Sequence, residues 1–229
     1  MKNSAENEFL NILQALQNAG VLKRLILVGS WCLPVYRHLY ASDEIPVLRT
    51  TDLDFLIEAP QKSSPPIDVP AILEGLGFSV IFDASSSLTK YERDDLEIEF
   101  LVARSRSTSA ITSIPNLRLT AQMLSYMEIP KLFAKKVDYC GVSLKVPELE
   151  AYILHKILVQ PLRQDIRKKE KDARTVLSLI PFVLSTSPMK SRLTEVFRTF
   201  PDSWQRKIRK TATITFPQIA ALLKEFVAK

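Results

Sequence analysis

Acidic and apolar residues alternate at two places in this chain, in Asp52-Leu53-Asp54-Phe55 and in Leu96-Glu97-Ile98-Glu99-Phe100. A period of two sends successive side chains to opposite faces of a strand. The spacing therefore predicts strands over Thr51–Ile57 and Leu96–Val102, each with carboxylates on one face and apolar side chains on the other. Carboxylates gathered on one face repel one another, and a divalent cation offsets that repulsion. A fold built on these strands must bury one sheet face and leave the other open to positive charge.

A second feature precedes the first alternating strand. Leu25-Ile26-Leu27-Val28 is a continuous apolar run, read as a buried strand, and it ends in Gly29-Ser30. Trp31 to about Tyr40 then reads as a helix, with Pro34 tolerable in its first turn. Glycine lets the backbone approach a phosphate closely, and a serine hydroxyl, exposed amides and a helix N-terminus can bind triphosphate oxygens. Gly-Ser after a strand is commonly only a turn, and a lone Asp-x-Asp is equally unspecific. The order strand, Gly-Ser, helix, Asp-x-Asp strand, Glu-x-Glu strand is much more specific. Asp52 and Asp54 project the same way and can bridge metal ions, and Glu99, or Glu97 two residues earlier, would complete an oxygen-rich magnesium site. With two metals, one activates the attacking hydroxyl and the other stabilises the leaving pyrophosphate. The constellation points to phosphoryl or nucleotidyl transfer.

The rest of the chain supplies a scaffold. Helical spacing covers 7–19 and stops before Gly20. A short helix spans Ala71–Leu76, and strands are expected over Phe78–Phe82 and Leu88–Tyr91 around Ser85-Ser86-Ser87. Residues 104–113 read as irregular. Val137–Val146 reads as a hairpin turning at Cys140-Gly141, and Pro147 sits where a helix N1 proline belongs, with Glu148 and Glu150 in the first turn. Helices follow over Leu149–Val159, Asp165–Leu179, Leu193–Phe200 and Pro217–Val227. The net charge of +6 divides into −5 over residues 1–110 and +11 over 111–229. An acidic half able to hold cations and a basic half able to hold phosphates suit a nucleotide cleft. Cys32 and Cys140 are far apart and read as reduced thiols. No apolar run approaches the roughly 18 residues of a membrane span, and the polar, acidic start is unlike a secretory signal. A cytoplasmic protein is expected.

The ordered motifs resemble the DNA polymerase β-type nucleotidyltransferase superfamily, whose signature is hG[GS], then Dh[DE]h, then a later carboxylate on a strand. Val28-Gly29-Ser30 matches the first element and Asp52-Leu53-Asp54-Phe55 the second, and Glu99 before Phe100-Leu101 is chosen for the third. The resemblance implies that Gly29 and Ser30 hold the triphosphate and that Asp52, Asp54 and Glu99 bind Mg²⁺ or Mn²⁺. The chain departs from the commoner pattern in two ways. Twenty-one residues separate Ser30 from Asp52, and the third acid is Glu rather than Asp. Downstream, Pro147, His155-Lys156-Ile157, Arg163, Lys168 and Lys171-Asp172 are similar to the helical region of bacterial stand-alone nucleotidyltransferase-like proteins, including toxins of the abortive-infection type. That similarity places Lys156 on nucleotide phosphates, with Lys171 near them. Arg49 and Thr51 match the Arg and Ser/Thr common just before the Asp-x-Asp strand.

Some of these residues also have plainer readings. His38 and His155 lack ligand spacing and read as packing residues. Lys156 among apolar neighbours can be a snorkelling lysine, and the run from Arg163 to Arg174 can be a solvated helix face. Trp31 and the other aromatic residues form no base-stacking platform and read as core.

The expected fold is α/β (α+β), with a polymerase-β-like nucleotidyltransferase core and short mixed sheet over 1–110 and a mostly helical, basic lobe over 111–229. The expected function is metal-dependent transfer of NMP from an NTP to an acceptor hydroxyl of RNA or tRNA, a protein or a small molecule, with a lean towards RNA. A toxin paired with an antitoxin, and a catalytically silent nucleotide- or RNA-binding module, are the alternatives.

Overall fold

A computed structural model describes residues 4–47, 50–58, 65–83, 88–104 and 109–225. The chain divides into two compact units, one of residues 1–39 and 48–147, the other of residues 40–47 and 148–229. The first unit opens with helix α1 (Ser4–Asn18), whose buried Phe9, Ile12, Leu13 and Leu16 repeat at helical spacing. Gly20 follows at φ +70°, a conformation that glycine adopts without steric cost.

Strand β1 (Leu25–Val28) is buried along its whole length and runs through a 3₁₀ turn, Gly29–Trp31, into helix α2 (Cys32–Leu39). Strand β2 (Asp52–Ile57) comes next, followed by helix α3 (Val69–Gly75), which Asp68 caps by accepting a bond from the Ala71 amide. Strands β3 (Ser79–Asp83), β4 (Leu88–Arg93) and β5 (Leu96–Ala103) follow, then β6 (Ile111–Ile114), β7 (Leu119–Leu124), helix α4 (Glu128–Leu132), and the hairpin β8 (Ala134–Tyr139) and β9 (Val142–Pro147).

One mixed sheet runs β1-β2-β5-β4-β3, with β7 also paired to β5 and β6 to β7. β2 and β5 are parallel, and Asp52 pairs with Glu97 and Asp54 with Glu99. β1 is antiparallel to β2, which sets Val28 opposite Asp54. Partners in register share a sheet face, so the four acids lie on one face and Leu53, Phe55, Ile98 and Phe100 on the other. The second set is fully buried, with Phe55 stacked on Phe100 at 6.0 Å and Tyr91 meeting Phe100 edge-on at 5.9 Å. The acid-bearing face is apolar farther along, where Ile26, Val28, Leu56, Leu101 and Met127 form a core cluster.

The first unit extends beyond the expected boundary at 110/111. Residues 111–147 are mostly strands, and β7 pairs in parallel with the second half of β5, Leu101 opposite Gln122. β6 also enters the 104–113 stretch expected to be irregular. Moving the boundary to Pro147 redraws the charge map. The first unit carries fifteen Lys/Arg and fifteen Asp/Glu, and the second sixteen against ten, a net +6. Arg118, Lys131, Lys135, Lys136 and Lys145 belong to the sheet-bearing unit, so the acid half and basic half of the sequence are not two structural bodies. The Cys140-Gly141 hairpin is as expected, both residues lying at positive φ as a two-residue turn demands. Cys32 and Cys140 are not joined in a disulfide, and Cys32 Sγ donates to the Leu27 carbonyl.

Pro147 is the last residue of β9 rather than a helix N1 position. Its carbonyl accepts a 2.8 Å bond from Tyr36 Oη, and Glu148, whose carboxylate accepts from Arg192, holds the position before the helix that follows. In the second unit, helix α5 (Leu149–Val159) is buried on nearly all sides, and α6 (Ile166–Leu184), α7 (Ser187–Thr199) and α8 (Asp202–Thr215) pack on it. Helix α9 (Pro217–Glu225) packs on α8. α6 passes through Pro181, which is exposed, and the carbonyl left without an amide partner is that of exposed Leu177. Among the described residues, no helix is long and apolar enough to cross a membrane.

Candidate active site

Gly29 and Asp54 define the floor of the site. Gly29 has φ +73°, and a Cβ built on it would lie 2.5 Å from Asp54 Oδ2. The Asp54 carboxylate therefore rests against bare backbone at the point where β1 turns towards α2. A side chain at position 29 would displace it. Ser30, buried, is the next residue of this turn. Trp31 stacks on Phe9 at 4.5 Å and helps hold the turn to α1, so its aromatic ring is core.

Asp52 sits two residues before Asp54, half-buried, and its Oδ1 accepts a 3.2 Å bond from Thr51 Oγ1. The Thr51 carbonyl accepts a 2.8 Å bond from the Glu97 amide, which ties the entrance of β2 to β5. Thr51, expected among the nucleotide-binding residues, thus touches Asp52 directly. Arg49, expected beside it, lies outside the described residues.

Glu99 faces a cation of the protein's own. Lys90 Nζ is 2.7 Å from Glu97 Oε1 and ion-pairs with Glu99 as well. Burial and the adjacent Glu97 carboxyl raise the Glu99 pKa, against the opposing pull of Lys90. Burial would lower the Lys90 pKa, but its bonds to Glu97 and Glu99 outweigh that and hold the ammonium charged. Among the described residues, no three His, Cys, Asp or Glu side chains are grouped to hold a metal by themselves. Asp52, Asp54 and Glu99 share one face, as expected, but are not drawn into one cluster, because Glu99 is turned to Lys90. The Asp52–Asp54 pair still fits magnesium, which commonly takes one or two carboxylates and fills its octahedron with waters and substrate phosphates.

Sequence reasoning missed Lys90, although a signal for it existed. The two-residue turn Asp94-Asp95 pairs Arg93 with Leu96 and Tyr91 with Ile98. One step further in that register, Lys90 falls opposite Glu99 on the acidic face.

Lys156 and Lys171 belong to the second unit. Lys156 is buried, with Nζ 2.5 Å from Asp172 Oδ1 and 5.1 Å from the centre of the Tyr152 ring. Arg163 Nε reaches the other oxygen of Asp172 at 2.9 Å. Burial alone would raise the Asp172 pKa, but the charges of Lys156 and Arg163 reverse the shift and hold it below the ordinary carboxylate value. The partner the structure gives Lys156 is thus a carboxylate on α6. Next to it, His155 is kept neutral, its pKa lowered to about 3 by burial and by the charges of Lys156 and Arg163, and its Nε2 has no hydrogen-bond partner among the described residues.

A sequence model of a family described as nucleotidyltransferase matches residues 7–199, which takes in the glycine turn, both acidic strands and the helices up to α7. The chain belongs to the nucleotidyltransferase family. Enzymes of this kind move a nucleoside monophosphate from an NTP to an acceptor, and the chain is such an enzyme. Among solved structures, this nucleotidyltransferase is similar to an antigenic nucleotidyltransferase-like protein from Paracoccidioides brasiliensis. The two are 17% identical over 96% of this chain and 93% of that one, with a TM-score of 0.52, which shows a common fold. It is also similar to the antibiotic-resistance factor ANT(2'')-Ia, at 14% identity over the full length of both chains and a TM-score of 0.46. With that factor in complex with adenylyl-2''-tobramycin, the likeness covers 87% of this chain and 100% of the other, at a TM-score of 0.47. No curated protein matches this chain at a significant level.

Proposed function

We propose that this nucleotidyltransferase transfers NMP to a hydroxyl of RNA, using Mg²⁺ or Mn²⁺ held by Asp52 and Asp54. The observation that carries this reading is the seat of Asp54 against Gly29, which joins an acid pair to a glycine turn of the kind that admits phosphate. Bound there, the ion would act as a Lewis acid on the phosphoryl oxygens.

The protein's own groups do the rest. The Gly29-Ser30 turn offers backbone amides and a hydroxyl to the triphosphate. Thr51 holds Asp52 in its rotamer through the 3.2 Å bond. Glu99, ion-paired with Lys90, adds a further carboxylate to the face. The acceptor oxygen bonds to the α-phosphorus, the bond from that phosphorus to the β-bridging oxygen breaks, and pyrophosphate leaves. The acceptor's proton passes to a carboxylate of this face.

RNA is favoured as acceptor by the second unit's net +6 and by its exposed cations, Arg167, Lys168 and Lys169 on α6 and Arg206, Lys207 and Lys210 on α8. The test is incubation of the full chain with each α-³²P-labelled NTP, Mg²⁺ or Mn²⁺, and separate pools of tRNA and total RNA, of proteins and of small polyhydroxylated molecules. Label is expected in RNA, weakening as salt rises and lost in Asp52→Ala and Asp54→Ala. Label in proteins or small molecules instead would keep the reaction and replace the acceptor. No transfer in any arm would overturn the reading.

A further inference from the structure

We infer that the outward face of α8 is the docking surface for the acceptor RNA, which it holds through phosphates and without reading bases. The inference rests on the reading of RNA as the acceptor and places that contact on one helix.

α8 presents this face because of what it buries. Ile208, Thr211 and Ala212 turn inward, and the helix packs on α5 and α9. Its entry is fixed by Gln205, whose Nε2 donates to the Phe200 carbonyl at 2.8 Å. At about 100° per residue, Ser203, Arg206, Lys207 and Lys210 then fall within an arc of about 100°, and all four are exposed. Arg206 and Lys210 stand one turn apart, about 6 Å along the axis. Arg209 is turned aside from them, with its guanidinium 5.1 Å from the centre of the Phe197 ring.

Charge along this helix is of one sign. The single acid of α8 is Asp202 at its first residue, where it suits the positive end of the helix dipole. No acid occurs from Ser203 to Lys224, the stretch that carries the rest of α8 and nearly all of α9. On the flanking elements, Glu148 and Glu195 accept bonds from Arg192, and Glu150 is buried. α6 differs. Asp165 and Glu170 are interleaved with Arg167, Lys168 and Lys169, and Ile166 is 70% exposed among them. A phosphate chain would meet two carboxylates and an alkyl group there, so α6 adds to the field of the unit without offering a continuous track.

Arg, Lys and Ser side chains bond phosphate oxygens, which positions a nucleic acid without specifying its sequence. Reading bases on a single strand takes aromatic side chains to stack on. Trp204 is half-buried and meets Phe200 edge-on at 6.0 Å, so it offers no such platform. A protein partner or a membrane would need apolar surface as well. The one large exposed apolar side chain of α8 is Ile214, near its C-terminal end.

The test is fluorescence anisotropy of the full chain with labelled oligouridylate, oligoadenylate and tRNA across a salt series. Arg206→Ala/Lys207→Ala/Lys210→Ala is compared with Arg167→Ala/Lys168→Ala/Lys169→Ala, which removes the same charge. The α8 variant is expected to weaken binding roughly 10-fold or more and to lower the slope of log affinity against log salt by about 2. The α6 variant should change that slope much less, Arg206→Lys should bind as wild type does, and the two homopolymers should bind alike. No RNA bound by the wild type, equal losses in the two triple variants, or a strong preference for one homopolymer would overturn the inference. So would polyglutamate or phosphatidylserine vesicles bound through α8 as tightly as RNA. If the α8 variant does not fold by circular dichroism, Arg206→Gln and Lys210→Gln decide singly. Docking and transfer fail separately. RNA labelled equally well by the wild type and the α8 variant would sink docking alone. RNA held through α8, with no label transferred by the wild type, would sink transfer alone.

Discussion

The Asp54 carboxylate occupies the space that a side chain on Gly29 would need, with Oδ2 2.5 Å from where that Cβ would stand. The glycine serves two ends here, since its φ of +73° also makes the turn from β1 towards α2. Gly29→Ala is predicted to cost about 1–2 kcal/mol of stability from backbone strain. The same change should lower transfer activity roughly 100-fold or more, since a displacement of about 1 Å at a reacting centre is enough for such a loss. Urea denaturation and NMP transfer, measured on one preparation, check both halves.

Asp52→Asn and Asp54→Asn preserve shape and remove charge. Transfer is predicted to fall roughly 10²–10⁴-fold, the equivalent of several kcal/mol of lost transition-state stabilisation. Stability should hold or rise slightly, because like charges on one face are relieved. Activity loss paired with a lower melting temperature would point to a structural role instead.

Lys156 and Asp172 form a pair in which each side chain is less than 10% exposed. Removing one partner strands the other charge, so Asp172→Asn is predicted to destabilise by about 3–5 kcal/mol. Lys156→Met combined with Asp172→Leu should recover most of that, since a matched apolar pair needs no counter-charge. Because the Asp172 pKa is lowered in the fold, its stabilising contribution is present at neutral pH and is lost only as pH falls through that lowered value. Urea titrations of the single and double variants read the effect.

His155 gives the opposite kind of pH dependence from a protonated, paired histidine. Its folded pKa of about 3 lies below its ordinary 6.5, so the unfolded chain takes up the proton first as pH falls. Stability is predicted to drop by about 2 kcal/mol between pH 8 and pH 5 from this residue alone. His155→Gln should remove that share of the slope. Equal slopes for wild type and variant in urea at the two pH values would contradict it.

The strands that build the site were legible because their signals are local. Alternation set β2 and β5, and a continuous apolar run set β1. The elements that were not seen had weaker local signals. β7 does alternate, with Leu119, Ala121 and Met123 buried, but its identity as a sheet member depends on β5, about twenty residues earlier. α8 carries only a narrow stripe, with Ile208, Thr211 and Ala212 buried beneath a polar surface. α6 runs past Pro181 because the proline falls on the solvent side, a fact about packing rather than about proline. The split at 110/111 failed for a related reason, since charge along a sequence does not mark where a sheet ends. Within the site, the shared face of Asp52, Asp54 and Glu99 followed from their spacing. The Lys90 partnership required the β4–β5 register, and that of Lys156 with Asp172 required two helices to be packed.

The most direct test of the account is anomalous diffraction from Mn²⁺ in crystals grown with a non-hydrolysable NTP analogue. A peak is expected within about 2.2 Å of carboxylate oxygens of Asp52 and Asp54, with the triphosphate lying along the Gly29-Ser30 turn. A nucleotide and metal bound elsewhere, with Asp52 and Asp54 contacting neither, would contradict it.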